Sequence, residues 1–189
     1  AIFEKIADVL IHSIEAKTGI MREESGPWER HLRDDGYNGA RRFSYTSATA
    51  YQGLVSAARL AARLDEVALA RRYRSAATDL KLAFDREFVG AGGFIRGLQE
   101  ETAIERCLAA DAVEGINFGL VDDTVARRTL EVFDRHLRKE RTIGYMRNDD
   151  GGDYDRHEWV VIDLRIARAF ARLGDAARHE ALVDWVTAQ

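Results

Sequence analysis

Two polar stretches hold the residue types from which a reactive or ligand-binding centre could be built. The first, residues 22–45, carries Gly26-Pro27-Trp28-Glu29-Arg30 and closes on Phe43-Ser44-Tyr45. The second, residues 142–156, carries Gly144-Tyr145-Met146-Arg147-Asn148-Asp149-Asp150 and is followed by Glu158-Trp159. A carboxyl group against an apolar wall keeps its proton to higher pH than a solvated one. Guanidinium groups donate charge-assisted hydrogen bonds to ligand oxygens, and aromatic faces accept the apolar side of a ligand. Taken one at a time these residues are unspecific. Glu29 beside Trp28 reads as a solvated loop glutamate, and Arg147 as a surface partner of Asp149 or Asp150, a pair worth ~0–1 kcal/mol. Trp159 fits a core position as well as a ligand contact, and Trp185 reads as core.

Other chemistries find no support. Asp149, Asp150, Asp153 and Asp155 invite a calcium reading, but glycines occupy the ligand positions between them, so the spacing is not that of an EF-hand loop. His12, His136 and His179 fall on predicted helices with no paired ligand at i+4, while His31 and His157 flank the two polar loops. No metal and no cofactor are therefore expected. Cys107 on an apolar face reads as a small core residue. There is no Ser/His/Asp arrangement, and the glycines at 90, 92 and 93 follow a helix rather than a strand, unlike a dinucleotide-binding loop.

The elements that must position these residues are helices, because apolar residues recur at helical spacing along the chain. Ile2, Phe3, Ile6, Val9, Leu10 and Ile14 share one face of a first helix that Gly19 ends. Thr46 or Ser47 caps a second, burying Tyr51, Leu54, Val55, Ala58 and Ala62. Asp65 begins a third with Leu69, Tyr73, Ala76, Leu80 and Phe84 inward, and the glycine-rich run 90–93 ends it. Residues 94–97 form a short extended piece, and a short fourth helix over 102–113 turns Ile104, Cys107 and Leu108 inward. Asp122 caps a fifth helix, burying Val125, Leu130, Phe133 and Leu137. The sixth carries Trp159, Ile162, Ile166, Ala169 and Phe170 and stops at Gly174, and Asp175 caps a seventh. Helix pairs thus alternate with long polar loops. In a toroid of helical hairpins those loops would gather at one end and build a site there.

The balance of the chain suits such a fold. It has 189 residues, 46% of them hydrophobic and 32% charged, an ordinary globular composition. The one proline, Pro27, leaves the helices uninterrupted. Lys and Arg number 28 against 32 Asp and Glu, a formal charge of −4 with no basic block, so the footprint of a nucleic-acid binder is missing. No apolar run approaches the roughly 20 residues of a membrane span. One cysteine excludes an intrachain disulfide and favours a reducing, cytoplasmic setting, although a disulfide-free secreted protein fits too. The first helix begins at the first residue and seven helices cannot close a ring. The expectation is one domain, residues 1–189 forming part of it, truncated at both ends.

Several motifs, in order, resemble the glucoamylase-like glycoside hydrolases. Trp28-Glu29-Arg30 is similar to that family's Trp-Glu-Glu or Trp-Glu-Arg segment, and Phe43-Ser44-Tyr45-Thr46 to the aromatic stretch before an Ala- and Leu-rich helix. Gly92-Gly93-Phe94-Ile95 looks like its Gly-Ala-Phe turn, and Ile116-Asn117-Phe118-Gly119-Leu120 with Asp122-Asp123 like its Val-Gly-Phe-Leu-Pro…Asp segment. Residues 144–150 resemble its substrate loop, and Glu158-Trp159 opens a helix where the family places an aromatic residue lining the site. Each motif is weak, and their collinearity over nearly the whole chain carries the weight.

The resemblance implies an all-α, partial (α/α)6 toroid of helical hairpins with long site loops at one end. It implies exo-acting, inverting hydrolysis of α-glucosidic bonds in oligosaccharides or α-glucans, with trehalose, isomaltose-type linkages or dextran as other substrates of the same fold. Glu29 maps onto the general acid. Inversion needs a second carboxylate roughly 6.5–9.5 Å away to activate water, and the family's base falls past Gln189; Glu24 and Glu158 are the next carboxylates to consider inside the chain. Trp28, Arg30, Tyr45, Arg147, Glu158 and Trp159 map onto substrate contacts. The family's proline before the loop aspartates is absent, so Asp149 or Asp150 could take the place of Arg147. An expected aspartate after the Gly-Phe turn corresponds to Asp111, although Cys107 stands closer to its position. The alternative is a noncatalytic, glucoamylase-like carbohydrate-binding or regulatory module.

Overall fold

The computed structural model describes residues 2–22, 41–99, 107–139, 142–149, 155 and 157–188. These residues form helices, and extended backbone meets only in isolated pairs. The α-helices are α1 (Ile2–His12), α2 (Ser44–Arg63), α3 (Val67–Phe84), α4 (Glu114–Asn117), α5 (Asp123–His136), α6 (Val160–Arg172) and α7 (Ala176–Thr187). Wider and tighter turns extend two of them: a π-helical turn, Asp85–Val89, continues α3, and a 3-10 turn, Ala110–Val113, leads into α4.

Helices α2, α4 and α6 pack side by side in one row, with α3 folded back on α2 and α7 on α6. The sequence explains the closeness of the first pair. Ala48, Ala50, Ala57, Ala58 and Ala61 keep the buried surface of α2 small, and α3 buries Tyr73, Ala77, Leu80 and Phe84 in the same core. Gly115 makes the same allowance for α4. A Cβ there would lie 2.8 Å from Ile95 and 3.0 Å from the Phe84 ring. Helix α5 is tied in by Thr129, whose hydroxyl accepts the Ile95 N–H, and by Arg127, which donates to the Leu173 carbonyl at the end of α6. The arrangement is an arc of α/α hairpins, the architecture expected from the alternation of helices and loops.

The helix ends follow local chemistry in two cases and tertiary context in two others. Asp122 and Asp175 cap α5 and α7, accepting the N–H of Val125 at 2.9 Å and of Arg178 at 3.2 Å. Helix α2 instead starts at Ser44, with Phe43 at its N-cap and no side-chain cap. The expected cap at Thr46 or Ser47 is therefore corrected: Ser47 is buried and its hydroxyl accepts the Met21 N–H, a bond to another segment. Asp65 does not begin α3. It takes φ +59° in the turn between α2 and α3, a conformation in which Asp is among the tolerated residues.

Helix α1 differs most from the reading of its periodicity. Ile2, Ile6 and Val9 are exposed at 79%, 59% and 63%. Its contact with α2 runs through Phe3, Ala7 and Leu10, where Gly53 admits Leu10 so closely that a Cβ would stand 2.9 Å from it. Ile2 and Val9 stay largely uncovered among the described residues, while Ile14, expected on the same face, lies past the helix end at His12 and packs against the core. On α2, Ala61 is buried in place of the expected Ala62.

Candidate functional site

The N-terminal ends of the row α2, α4 and α6 are sewn together by short backbone contacts. Phe43, before α2, pairs with Leu98; Gly97 N–H donates to the Cys107 carbonyl at 2.6 Å; Ala109 pairs with Asn148; and Met146 pairs with Glu158, before α6. A Cβ on Gly97 would lie 2.4 Å from that of Ala109, so this seam requires glycine there. The base of the first long loop is closed at the same place. Met21 is bonded to Ser47, and Arg42 forms a two-point ion pair with Glu15, at 3.0 and 2.9 Å, which holds the Glu15 carboxyl below its ordinary range. The described ends of both long loops therefore meet at one end of the helical row.

Arg147 and Trp159 come together there. The guanidinium lies over the indole, 5.3 Å from the ring centroid, and its Nε donates to Asp155. The sequence suggested Asp149 or Asp150 as its partner; among the described residues the ion pair is with Asp155, and Asp150 lies outside them. Asp149 accepts the Leu108 N–H at 3.1 Å, and Asn148 also donates to Asp155, at 3.1 Å. The Arg147 carbonyl accepts the Ala110 N–H, so this loop is fastened to the start of the 3-10 turn. Trp159 is half-buried, with its ring against the core. It is both a core contact and the platform for Arg147.

Tyr45, in the first turn of α2, faces the acidic start of α4. Burial pushes its hydroxyl pKa upward, and the nearby charges of Asp111 and Glu114 add to the rise. Asp111 and Glu114 are almost wholly buried. Glu114 pairs with Arg165 of α6 at 3.1 Å, yet desolvation still raises its pKa. Asn117 donates to the Arg165 carbonyl, which fixes α4 against α6. Glu158 Oε1 accepts the Gly144 N–H at 3.0 Å and the Thr142 hydroxyl. Asp163, 1% exposed, accepts the Tyr145 N–H at 2.8 Å, and burial raises its pKa to about 6, with Glu158 contributing in the same direction.

Trp28, Glu29 and Arg30 lie outside the described residues, as do Glu24, His31, Asp150 and Asp153. Of the substrate contacts expected from sequence, Tyr45, Arg147, Glu158 and Trp159 are described; Arg147 stacks on Trp159, and Glu158 holds the loop that carries Arg147. Glu114 and Asp163 are not among the residues expected from the sequence. The signal was present for both. Glu114 stands with Asp111 in the apolar run 107–117, and Asp163 falls on the same helical stripe as Ile162 and Ile166. Among the described residues no cluster of His, Cys, Asp and Glu could hold a metal ion, and no helix is long and apolar enough to cross a membrane.

No family model matches the sequence, and no curated protein matches it. Solved structures share its fold. A wild-type glycosidase matches with a TM-score of 0.71 and 22% identity, over 87% of this chain and 41% of its own. A glycosidase carrying a glutamate-to-alanine change matches with 0.73 and 21%, over 89% and 42%. One carrying a phenylalanine-to-tyrosine change matches with 0.69 and 22%, over 87% and 41%. The chain thus spans about two fifths of the length of the solved structures it matches. What they share is the α/α toroid-like helical architecture.

Proposed function

We propose that the chain is part of the catalytic domain of a glycoside hydrolase, an exo-acting, inverting enzyme of the glucoamylase type that cleaves α-glucosidic bonds in oligosaccharides or α-glucans. The observation that carries this reading is the placing of Arg147 over Trp159 at the joined N-terminal ends of the helical row, where both long loops are anchored. The fold shared with glycosidases and the order of the sequence motifs support it. Exposed apolar side chains on α1, and Val160, Val161 and Leu164 on α6, support a place for this arc beside further hairpins of one barrel.

On this reading Glu29 protonates the glycosidic oxygen, and Trp28 supplies the apolar wall that keeps its carboxyl protonated. Arg30 and Arg147 donate hydrogen bonds to sugar hydroxyls. Tyr45 offers its ring face or hydroxyl to the sugar, Trp159 carries the Arg147 guanidinium that meets it, and Glu158 borders the same loop. The general base belongs to another hairpin of the barrel, on the opposite side of the bond. In the whole enzyme, Glu29→Gln is expected to lower kcat on a natural disaccharide by roughly 10²–10⁴-fold. The loss should be much smaller for glycosyl fluorides, whose leaving group departs without a proton. Near-normal turnover of the disaccharide by the variant overturns the assignment of Glu29. Saccharide binding by the whole unsubstituted protein without any turnover favours the noncatalytic module.

A further inference from the structure

Glu158 and Asp163 flank the start of α6 and aim at one short stretch of backbone. Glu158 Oε1 takes the Gly144 N–H, and Asp163 Oδ1 takes the next one, that of Tyr145. A Cβ at Gly144 would stand 2.5 Å from Glu158 Oε1 and 3.0 Å from Asp163 Oδ2, so the chain passes between the two carboxylates only because residue 144 has no side chain. Just downstream, Met146 pairs with Glu158, and the Trp159 N–H donates to the Tyr145 carbonyl. The segment thus runs from the two carboxylates to Arg147, whose guanidinium comes to rest on Trp159.

We propose that Glu158 and Asp163 are positioning residues: together they clamp the backbone at Gly144 and Tyr145 and so set where Arg147 presents its guanidinium to ligand. Asp163 is too deeply buried to meet a ligand, and Glu158 Oε1 already accepts two donors from the loop. The effect of Asp163 on binding, and that of the two bonds made by Glu158 Oε1, therefore pass through the loop to Arg147. Carboxylates suit this task because charge-assisted bonds to N–H groups are shorter and stronger than neutral ones. A ligand-contacting group displaced by even about 1 Å can lose much of its effect. The inference rests on the proposed role of Arg147 in saccharide binding for its functional meaning, although the clamp can be tested without it.

The test follows the Nε–H resonance of Arg147 by NMR, identified by its disappearance in Arg147→Lys. Stacking on Trp159 displaces this resonance through the ring current. In Glu158→Ala and Asp163→Ala the displacement should collapse, and affinity for maltose should fall roughly tenfold or more. In Glu158→Gln and Asp163→Asn, which keep the accepting oxygen, both should return close to the original values. Folded alanine variants whose Arg147 resonance stays in place overturn the clamp. If the unsubstituted protein does not bind maltose, the proposed function fails on that probe while the resonance still decides the clamp. If an alanine variant does not fold, hydrogen exchange in the unsubstituted protein decides it. The amides of Gly144 and Tyr145 and the Arg147 Nε–H should then exchange through a common opening. Free-arginine exchange at Nε–H while both amides stay protected overturns the proposal.

Discussion

Replacing Asp163 by asparagine should make the protein more stable at neutral pH, by an amount that the burial of this one carboxyl sets. Asp163 is 1% exposed, and its pKa rises from 3.8 to about 6, chiefly through desolvation of the charged form and then through the neighbouring Glu158. The folded protein therefore holds this proton more tightly than the unfolded chain. Stability from the protonated group is complete below about pH 4, falls as pH rises through about 6, and is flat beyond. A rise of about two units at roughly 1.4 kcal/mol each gives about 3 kcal/mol, an upper figure for the cost of ionising Asp163 at pH 7. The amide keeps the oxygen that accepts the Tyr145 N–H and can offer its NH2 group toward Glu158, so the variant avoids that cost without losing the bond. Urea unfolding followed by far-UV circular dichroism at closely spaced pH values from 4 to 8 measures the difference. The variant's advantage should grow between about pH 4 and 6 and then level off near its maximum. Two parallel stability curves across that range would refute the argument that burial holds the Asp163 proton.

Two further substitutions probe the frame around the site. Gly97→Ala should destabilise the protein by about 1–3 kcal/mol through overpacking, because the added carbon meets the Cβ and backbone of Ala109 rather than a movable side-chain tip; an unchanged thermal midpoint would show that the seam yields without cost. Asp122→Ala should cost about 1 kcal/mol by leaving the Val125 N–H without its cap. Asp122→Asn should recover most of that in the same urea assay, and an equal loss in both variants would place the effect in charge rather than in capping.

Much of the helical frame was legible because its signals are local. A carboxylate at the N-cap reaches an N–H three residues on, so Asp122 and Asp175 mark the starts of α5 and α7 without reference to the rest of the chain. Apolar periodicity likewise marked α3 and α6, whose buried Tyr73, Leu80, Phe84, Ile162, Ile166 and Phe170 were all expected. The alternation of hairpins and polar loops pointed to the toroidal architecture, since each amphipathic helix must find a neighbour for its apolar stripe.

The remainder depends on which distant segments meet. The face that α1 buries follows from where its neighbours lie: its apolar contact is with α2 and Asp8 pairs with Arg72 of α3, so Phe3, Ala7 and Leu10 are covered while Ile2, Ile6 and Val9 stay mostly exposed. Periodicity can identify an apolar stripe but not the part of it that finds a partner. Ser47 looked like a cap because serine favours helix starts, but Met21, 26 residues earlier, takes its hydroxyl. Arg147 could be paired from sequence only with its neighbours, whereas the fold brings it Asp155 and the face of Trp159. The pKa of Asp163 is a property of the packed state alone. The same side chain is an ordinary carboxyl in the unfolded chain, and its proton is held only once tertiary structure has removed water and set Glu158 beside it.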